Sequence, residues 1–281
     1  MLFPENIGEY LSIDEVSLSQ GELYTFVTNK KGRGKKGTLV ASIKGTLSKD
    51  ISNTLELIPL EQRKMVKEVT LDMAKNMESG VKKCFPKASL VTDRFHVVKL
   101  VLEALQHIRI QYRWIEIDKE NQAISNAKKS GNKYVHKIFA NGDSPKQLLA
   151  RSRYILFKKS SKWTHNQQQR ANILFREYPD LKRAYNIVME FRNIYEVKSR
   201  NLAQEKFSNW ITNIFTNQRK EFYTAANSVK VNMNNILNFF SNRNTNANAE
   251  SFNSKIKLFR ANLRGVTDTT FFLFRLYKLF A

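Results

Sequence analysis

Two neighbouring stretches decide the fold of this chain: residues 68–75 read EVTLDMAK, and residues 85–99 read FPKASLVTDRFHVVK. Each contains a short apolar run that is typical of a buried strand, and each run ends on an acid, Asp72 or Asp93. Residues 73–84 are predicted to form a helix that ends ahead of the Phe-Pro pair, because the residue before a proline disfavours the α region. Strand, helix and strand without a hairpin turn predict a parallel βαβ unit. Ligands of open α/β sheets bind beyond the carboxyl ends of such strands, so both acids are predicted to lie at a reactive edge.

The composition indicates a folded and strongly basic protein. Hydrophobic residues make up 42% of the chain and aromatic residues 11%, which suits a packed core and not a disordered tail. Lys and Arg number 47 against 25 Asp and Glu, a formal net charge of +22. The excess is concentrated in residues 118–235, with 22 basic and 9 acidic side chains. Such a charge favours a polyanionic partner, most simply nucleic acid, and the alternative is a soluble basic surface without a partner.

The same composition argues against several other classes of protein. The single cysteine, Cys84, excludes a disulfide framework and a multi-thiolate zinc site. The most apolar run, residues 271–280, is too short to span a bilayer and is predicted to be a buried terminal helix capped near Asp268 or Thr269. The sequence shows no secretion leader, so a cytoplasmic, nucleoid-associated protein without a membrane partner is expected.

The rest of the first half predicts the remaining strands. Three strands that form an antiparallel meander are predicted at residues 11–16, 23–28 and 38–43. Residues 29–37, rich in glycine and charge, form the tip between the second and third of these strands. A helix over residues 48–64, with Ser48 as its cap, leads into the βαβ unit, and a long helix follows from His96 to about Asp118.

Strand patterns are absent from there to Phe240, and helical, basic segments with breaks at Pro145 and Pro179 are predicted instead. The chain is therefore predicted to be α/β, with a mixed five-stranded sheet flanked by helices and interrupted by a mostly α-helical insertion. The predicted parts are residues 1–117 as the first part of the core, residues 118–240 as the basic insertion, and residues 241–281 as the C-terminal helices that complete the core. An independent second domain over 118–240 is the alternative.

The late helical region carries a third acid of interest. At 100° per residue, one face that would pack on a core contains Phe252, Ile256, Phe259 and Leu263. A separate face contains Glu250, Asn253, Lys257, Arg260 and Arg264. Glu250 is either an ordinary residue that complements the helix dipole or a metal ligand beside a phosphate-binding row, and the spacing leaves both interpretations open.

The candidate acids are thus Asp14, Asp72 and Glu250. Carboxylate oxygens are the ligands that Mg²⁺ prefers, and two such ions activate the attacking oxygen and stabilise the leaving oxygen in phosphodiester chemistry. Asp14, on a central strand, suits an acid that bridges both ions. Glu15 replaces it only if the strand register shifts by one residue. Taken singly, an aspartate at a strand end is also a common cap or turn residue.

Longer motifs resemble those of a known family. They read IDE at 13–15, TLDM at 70–73, FPxA at 85–88, TDRFHVVK at 92–99, NxExFNxKIK at 248–257 and LRGV at 263–266. Together they resemble the ISL3 family of bacterial insertion-sequence DDE transposases, over about residues 10–281. The resemblance implies a ribonuclease H-like fold, and it implies Asp14, Asp72 and Glu250 as a DDE triad that holds two Mg²⁺ ions, for which Mn²⁺ can substitute.

The resemblance also implies what the protein does with DNA. We expect cleavage at the element ends and strand transfer into target DNA, by a homodimer on DNA. The cations expected to hold backbone phosphates are Lys255, Lys257, Arg260 and Arg264. Asp93 and His96 either brace the start of the long helix or lie at the rim of the site and orient a ligand carboxylate, and Asn253 is a further candidate to support the ligands.

One departure from the family pattern concerns recognition of the element ends. Such transposases carry an N-terminal zinc-binding or helix-turn-helix region, whereas here the first predicted strand starts near residue 10 and the cysteine is single. We therefore expect a catalytic half that is either assisted by a separately encoded DNA-binding protein or truncated. The other functions that fit are an inactive DNA-binding protein derived from a transposase and a structure-selective nuclease of the same fold.

Overall fold

The computed structural model describes residues 1–18, 22–243, 247–263 and 268–281, without the side chains of residues 247–250. The chain forms two compact units, one of residues 1–97 with 231–281 and the other of residues 98–230. The domain boundaries predicted from the sequence, after residues 117 and 240, remain a prediction.

A five-stranded mixed sheet forms the first unit's framework. Its strands are β1 (Tyr10–Ser17), β2 (Leu23–Asn29), β3 (Leu39–Lys44), β4 (Glu68–Leu71) and β5 (Ser89–Thr92). The order across the sheet is β3-β2-β1-β4-β5. The first three strands pair antiparallel, as the meander predicts, whereas β1 with β4 and β4 with β5 pair parallel. The sheet and its flanking helices confirm the predicted α/β, ribonuclease H-like architecture with a helical insertion.

Helices make up most of the remaining chain. In chain order they are α1 (Ser48–Leu55), α2 (Leu60–Lys64), α3 (Lys75–Cys84), α4 (Arg94–Lys129), α5 (Pro145–Arg151), α6 (Arg153–Phe157), α7 (His165–Glu177), α8 (Pro179–Ile194), α9 (Arg200–Thr216), α10 (Tyr223–Val231), α11 (Met233–Asn242), α12 (Ala247–Asn262) and α13 (Thr269–Phe280). Within the described ranges, none of these helices has the length and apolar character needed to cross a lipid bilayer.

Two predicted helices have different bounds in the structure. The helix expected over residues 48–64 is divided into α1 and α2, because Pro59 has no N–H and cannot continue a helix. Leu47, and not Ser48, occupies the N-cap position of α1. The long helix α4 continues past Asp118 to Lys129, because residues 119–129 contain neither glycine nor proline.

Apolar side chains cover both faces of the sheet. One face packs against α1 and α3 through residues such as Ile13, Val69 and Val81. The other face packs against α12 and α13, in a cluster that includes Phe26, Phe252, Ile256, Phe272 and Leu276. The predicted apolar face of α12 is confirmed, since Phe252 and Ile256 are fully buried and Phe259 and Leu263 are partly buried. The predicted cap of α13 is confirmed, since Asp268 accepts the N–H groups of Thr270 and Phe271, but only one side of that helix is buried.

A buried ion pair lies on the same sheet face as α11. The ammonium of Lys30, directly after β2, donates to Glu68 Oε1 at 3.0 Å and also to the hydroxyl of Thr70. Glu68 Oε2 accepts from Asn242 of α11 at 3.2 Å. Burial lowers the pKa of Lys30, while the Glu68 carboxylate opposes that change. The pair therefore depends on its hydrogen bonds for stability, because its charges have lost their hydration.

The second unit is helical throughout: residues 98–230, all of which the structure describes, contain no strand. Four aromatic side chains pack together at its centre, with ring centroids 4.7–5.9 Å apart: Phe191, Tyr195, Phe207 and Trp210. Pro145 and Pro179, predicted as breaks, occupy the first position of α5 and of α8. A proline is tolerated there because the missing N–H has no partner in the helix.

A buried carboxylate joins three segments of this second unit. Asp143 is fully buried and accepts from Arg170 Nε at 2.9 Å, from Asn141 Nδ2 at 2.8 Å and from Arg151. Burial alone raises the pKa of Asp143, but the hydrogen bonds from Arg170 and Arg151 outweigh it, so the pKa lies below its ordinary value.

We predict that Lys30→Met destabilises the first unit by about 3 kcal/mol, because it leaves the Glu68 carboxylate buried beside an apolar side chain. The matched control is Lys44→Met at the exposed Lys44–Glu22 pair, which should change the free energy of unfolding far less, because water screens exposed charges. The two pairs differ in exposure: the side chains of Lys30 and Glu68 are 9% and 2% exposed, whereas those of Lys44 and Glu22 are 69% and 31% exposed. Urea unfolding, with hydrogen exchange of β4 as the readout, measures both. Equal losses would contradict the prediction.

We predict that Asp143→Asn destabilises the second unit by about 2 kcal/mol at neutral pH, because two arginines lose a charged acceptor. The native pKa lies below the unfolded value of about 3.9, so the stabilisation is present above that pH and is lost as the pH falls through the native pKa. The difference in unfolding free energy between the wild type and Asp143→Asn should therefore shrink as the pH falls into the acid range. All three tryptophans lie in this unit, so their fluorescence reports its unfolding. Asp180→Asn, at a more exposed aspartate, is the control and should cost less than about 1 kcal/mol.

Candidate active site

Two acids lie on neighbouring parallel strands, just beyond the last residues that pair. The pairing of β1 with β4 ends with Ser12 opposite Thr70, and Asp14 on β1 and Asp72 directly after β4 each lie two residues further along. Each carboxylate uses Oδ1 to accept the N–H of the following residue, at 2.8 Å for Asp14 and 2.6 Å for Asp72. These bonds restrict both side chains to one orientation at the sheet edge.

Asp14, and not its neighbour Glu15, faces the C-terminal helices. Asn253 of α12 donates from Nδ2 to Asp14 Oδ2 at 2.6 Å. Glu15 follows on a strand whose side chains alternate between faces, and it is exposed. Asn253 itself is buried, because Phe252 and Ile256 on either side of it hold α12 against the sheet. The hydrogen bond therefore fixes one point of α12 directly beside Asp14.

The other predicted residues of α12 have different surroundings. Glu250 lies in α12, but its side chain is outside the described residues, and Arg264 lies outside them altogether. Lys255 donates to the carbonyl oxygen of Gly34 at 2.8 Å. Lys257 is exposed, and the guanidinium of Arg260 lies 5.2 Å from the centroid of the Phe272 ring. The predicted row of phosphate-binding cations thus contains one side chain that is engaged with the protein's own backbone.

Asp93 and His96 extend the cluster to the next strand. Asp93 follows β5 and is buried, and His96 lies in the first turn of α4. His96 Nδ1 is 3.4 Å from Asp93 Oδ2 and 3.6 Å from Asp72 Oδ1. The imidazole therefore lies between the two acids, a position compatible both with bracing the helix and with orienting Asp72.

The carboxylates influence one another electrostatically. Burial raises the pKa of Asp14, and the Asp72 and Asp93 carboxylates raise it further, while the Glu15 N–H and His96 act in the opposite direction. Burial also raises the pKa of Glu15, with contributions from Asp14 and Asp72. Negative charge is thus crowded at this edge, and a bound cation would relieve the crowding.

The donor types suit a hard divalent cation, since Mg²⁺ binds carboxylate oxygens together with water and phosphate. Among the described side chains, which exclude that of Glu250, no three His, Cys, Asp or Glu residues come close enough together to hold a metal ion. The described part of the edge therefore supplies Asp14 and Asp72 as the adjacent candidate ligands, with Asp93 and His96 next to them.

The sequence interpretation missed one residue beneath this edge. Lys30 falls within the charged tip predicted at residues 29–37 and was not singled out there, yet it is buried, and Asp93 contributes to its electrostatic surroundings. Side chains alternate between the two faces along β2, so residue 30 is expected on the same sheet face as Thr28. Thr28 pairs with Ser12, which lies on the face that also carries Asp14. A lysine on that face continues the polar row that includes Asp14.

Comparison with known proteins identifies the family. A family model described as a transposase, of the DDE type and ISL3 group, matches residues 11–276. The transposase for insertion sequence element IS1001 of Bordetella parapertussis is 22% identical over 276 residues, which cover 97% of this chain and 61% of that protein. This chain therefore spans less than two thirds of the length of that relative. Because the family model spans nearly the whole sequence, the chain belongs to the ISL3 family of DDE transposases.

Proposed function

We propose that this chain is the catalytic part of a transposase that cleaves DNA at the ends of its element and joins those ends to target DNA. The observation that carries the proposal is the pair Asp14 and Asp72 at one sheet edge, with α12 bonded to Asp14 through Asn253. Carboxylates gathered at the ends of parallel strands suit metal-assisted phosphodiester chemistry.

Glu250 is proposed as the third ligand. It precedes Asn253 by three residues in α12, and residues three apart lie on the same side of a helix. Since Asn253 contacts Asp14, the helical turn from residue 250 to residue 253 ends beside Asp14. The donor set of Asp14, Asp72 and Glu250 is then entirely oxygen, in accordance with Mg²⁺ or Mn²⁺.

In the proposed reaction, a water oxygen attacks the phosphorus at the element end. The bond between that phosphorus and the element's 3′ oxygen breaks, which leaves a 3′-hydroxyl on the element and a 5′-phosphate on the flanking strand. That hydroxyl oxygen then attacks a target phosphodiester and displaces its 3′ oxygen. When bound, two divalent ions would activate the attacking oxygen and stabilise the leaving one. Asp14, Asp72 and Glu250 would hold these ions. His96 and Asn253 orient the carboxylates, and Asp93 supports His96.

Phosphate binding is proposed to come from Lys257, from Arg260 and Arg264, and from the basic helical unit. The +13 charge of residues 118–235 would hold DNA through its backbone, with strong dependence on salt and little dependence on sequence. Recognition of the element ends is assigned to a separately encoded DNA-binding protein or to a further part of the same transposase. A homodimer on DNA in the nucleoid is proposed as the working form.

We predict that Asp14→Asn, Asp72→Asn and Glu250→Gln each abolish Mg²⁺-dependent nicking of supercoiled plasmid. Each change also removes Mn²⁺ binding measured by electron paramagnetic resonance, because a carboxylate ligand is lost. Glu15→Gln is the matched control and should keep both activities. DNA affinity, measured by fluorescence anisotropy in EDTA, should stay the same or rise in all four variants, because negative charge beside the phosphate falls.

Three outcomes would contradict the assignment. Loss of nicking in the Glu15 variant, together with an active Asp14 variant, would show that Glu15 and not Asp14 is the metal ligand on β1. DNA binding without Mn²⁺ binding or nicking would support an inactive DNA-binding protein instead. Nicking without transfer of a supplied 3′-hydroxyl end into a second duplex would support a structure-selective nuclease.

We predict that Asn253→Ala slows nicking by about 10- to 100-fold without abolishing Mn²⁺ binding, because Asp14 loses the donor that orients it. Ser251→Ala, at an exposed position of the same helix, is the control and should leave the rate within about twofold. A rate for Asn253→Ala equal to that of the control would show that Asp14 needs no support from α12.

A further inference from the structure

The loop between β2 and β3 forms a compact, strongly basic projection, which we call the basic tip and define as residues 30–38. Its exposed cations are Lys31, Arg33, Lys35 and Lys36. Among the ion pairs that the described residues form, none involves these four, whereas three other lysines of the first unit, Lys44, Lys67 and Lys83, are paired with glutamates. Four cations held together without carboxylates repel one another, so the arrangement favours a polyanionic partner.

The basic tip is an ordered turn. Asn29 Oδ1 accepts the N–H of Lys31 at 3.0 Å, and the Asn29 N–H donates to the Thr38 carbonyl at 2.8 Å. Within the turn, the N–H of Lys35 donates to Gly32 O at 3.0 Å. Gly34 adopts a φ of +70°, a left-handed conformation that favours glycine. These bonds hold the backbone that carries the four cations in a defined turn before any ligand binds, which lowers the entropic cost of binding.

Lys255 connects this tip to the helix that carries the candidate site. Its ammonium donates to Gly34 O at 2.8 Å, and a Cβ placed on Gly34 would lie 2.7 Å from that nitrogen. A Cβ at position 34 would therefore displace the Lys255 ammonium, and the φ of +70° separately favours glycine at this position. Lys255 follows Asn253 by two residues, about 3 Å along the helix axis. Residues two apart in a helix do not share a face, so α12 contacts Asp14 and the basic tip from different sides at nearly the same height along its axis.

We infer that the basic tip binds the phosphate backbone of DNA, and that Lys255, which joins the tip to α12, acts as a positioning residue for the tip and not as a phosphate ligand. The inference rests on the proposed function in that DNA is the partner. It revises the role first expected of Lys255, because an ammonium engaged with a backbone carbonyl in the first unit holds that loop in place. Lys257, exposed on the same helix, keeps the role of a direct phosphate contact.

The first experiment measures binding of a labelled DNA duplex by the full chain in EDTA, over a range of NaCl concentrations. The variant K31Q/R33N/K35Q/K36Q should lower the affinity by about tenfold or more and reduce the slope of log K against log salt by about 3. Asparagine is chosen at position 33 because Arg33 has a φ of 51° and asparagine tolerates that region. The charge-matched control K49Q/K64Q/K83Q/K87Q, on and beside α1, α2 and α3, should change the affinity by less than about threefold. Equal losses in both variants would overturn the inference.

The second experiment separates positioning from direct contact with a double-mutant cycle. K255M and G34A should each lower the affinity by about threefold or more in the wild-type chain and have no further effect in the tip-neutralised chain. G34A is informative because it displaces Lys255 without removing a charge. K257M should instead lower the DNA affinity by the same factor in the wild-type chain and in the tip-neutralised chain, and it should reduce the slope of log K against log salt by about 1. Additive behaviour of K255M would show that Lys255 binds phosphate itself.

A measurement without substitutions covers the case in which a variant fails to fold. Acylation of lysines in the wild-type chain, followed by mass spectrometry, should show that DNA protects Lys31, Lys35 and Lys36 but not Lys49 or Lys87. Equal protection at both groups would contradict a DNA contact at the tip. All of these readouts exclude divalent ions, so they stand even where the nicking assay of the proposed function fails.

Discussion

The parallel pairing of β1 with β4 is the constraint on which the candidate site depends. Its register carries Asp14 and Asp72 to the same sheet edge, and the pairing of β4 with β5 brings Asp93 next to them. Attraction between the side chains does not bring them together, since the neighbouring carboxylates raise the pKa of Asp14. Backbone hydrogen bonds and the apolar layers on both sheet faces hold these repelling groups in place. The fold thus supplies the stability that a crowded acidic site requires.

The sheet face beneath α11 and α12 combines two kinds of packing. Phe252 and Ile256 bury apolar surface and fix α12, while Lys30, Glu68 and Asn242 form a polar layer in the same unit. Buried polar groups strengthen one another when every member has a partner, and they are costly when one is missing. This layer therefore ties the position of the helices to the identity of a few residues, which is useful where carboxylates must keep a fixed geometry.

The sequence predicted those features that depend on short-range pattern. The alternation in β1 and the apolar runs before Asp72 and Asp93 were sufficient for the sheet, and the spacing of Phe252 and Ile256 was sufficient for the buried face of α12. The predicted end of α4, at about Asp118, was wrong, because the polar residues that follow, such as Lys119 and Gln122, are compatible with both helix and loop. The partners of Lys30 and Lys255 were also missed. A long flexible side chain selects among several acceptors only in the folded chain, and no local pattern records that selection.

The first unit is assembled from both ends of the sequence, with residues 231–281 added after a separate unit of 133 residues, 98–230. A ribosome that adds about 5–20 residues per second therefore delays completion of this unit by about 10 to 40 seconds after β5 has been synthesised. During that interval Val16, Phe26 and Leu39 lack the aromatic residues of α12 and α13 that later cover them. Nascent chains are thus expected to expose an apolar sheet face to chaperones. Translation products that end before α12 also lack Asn253, the residue that donates a hydrogen bond to Asp14.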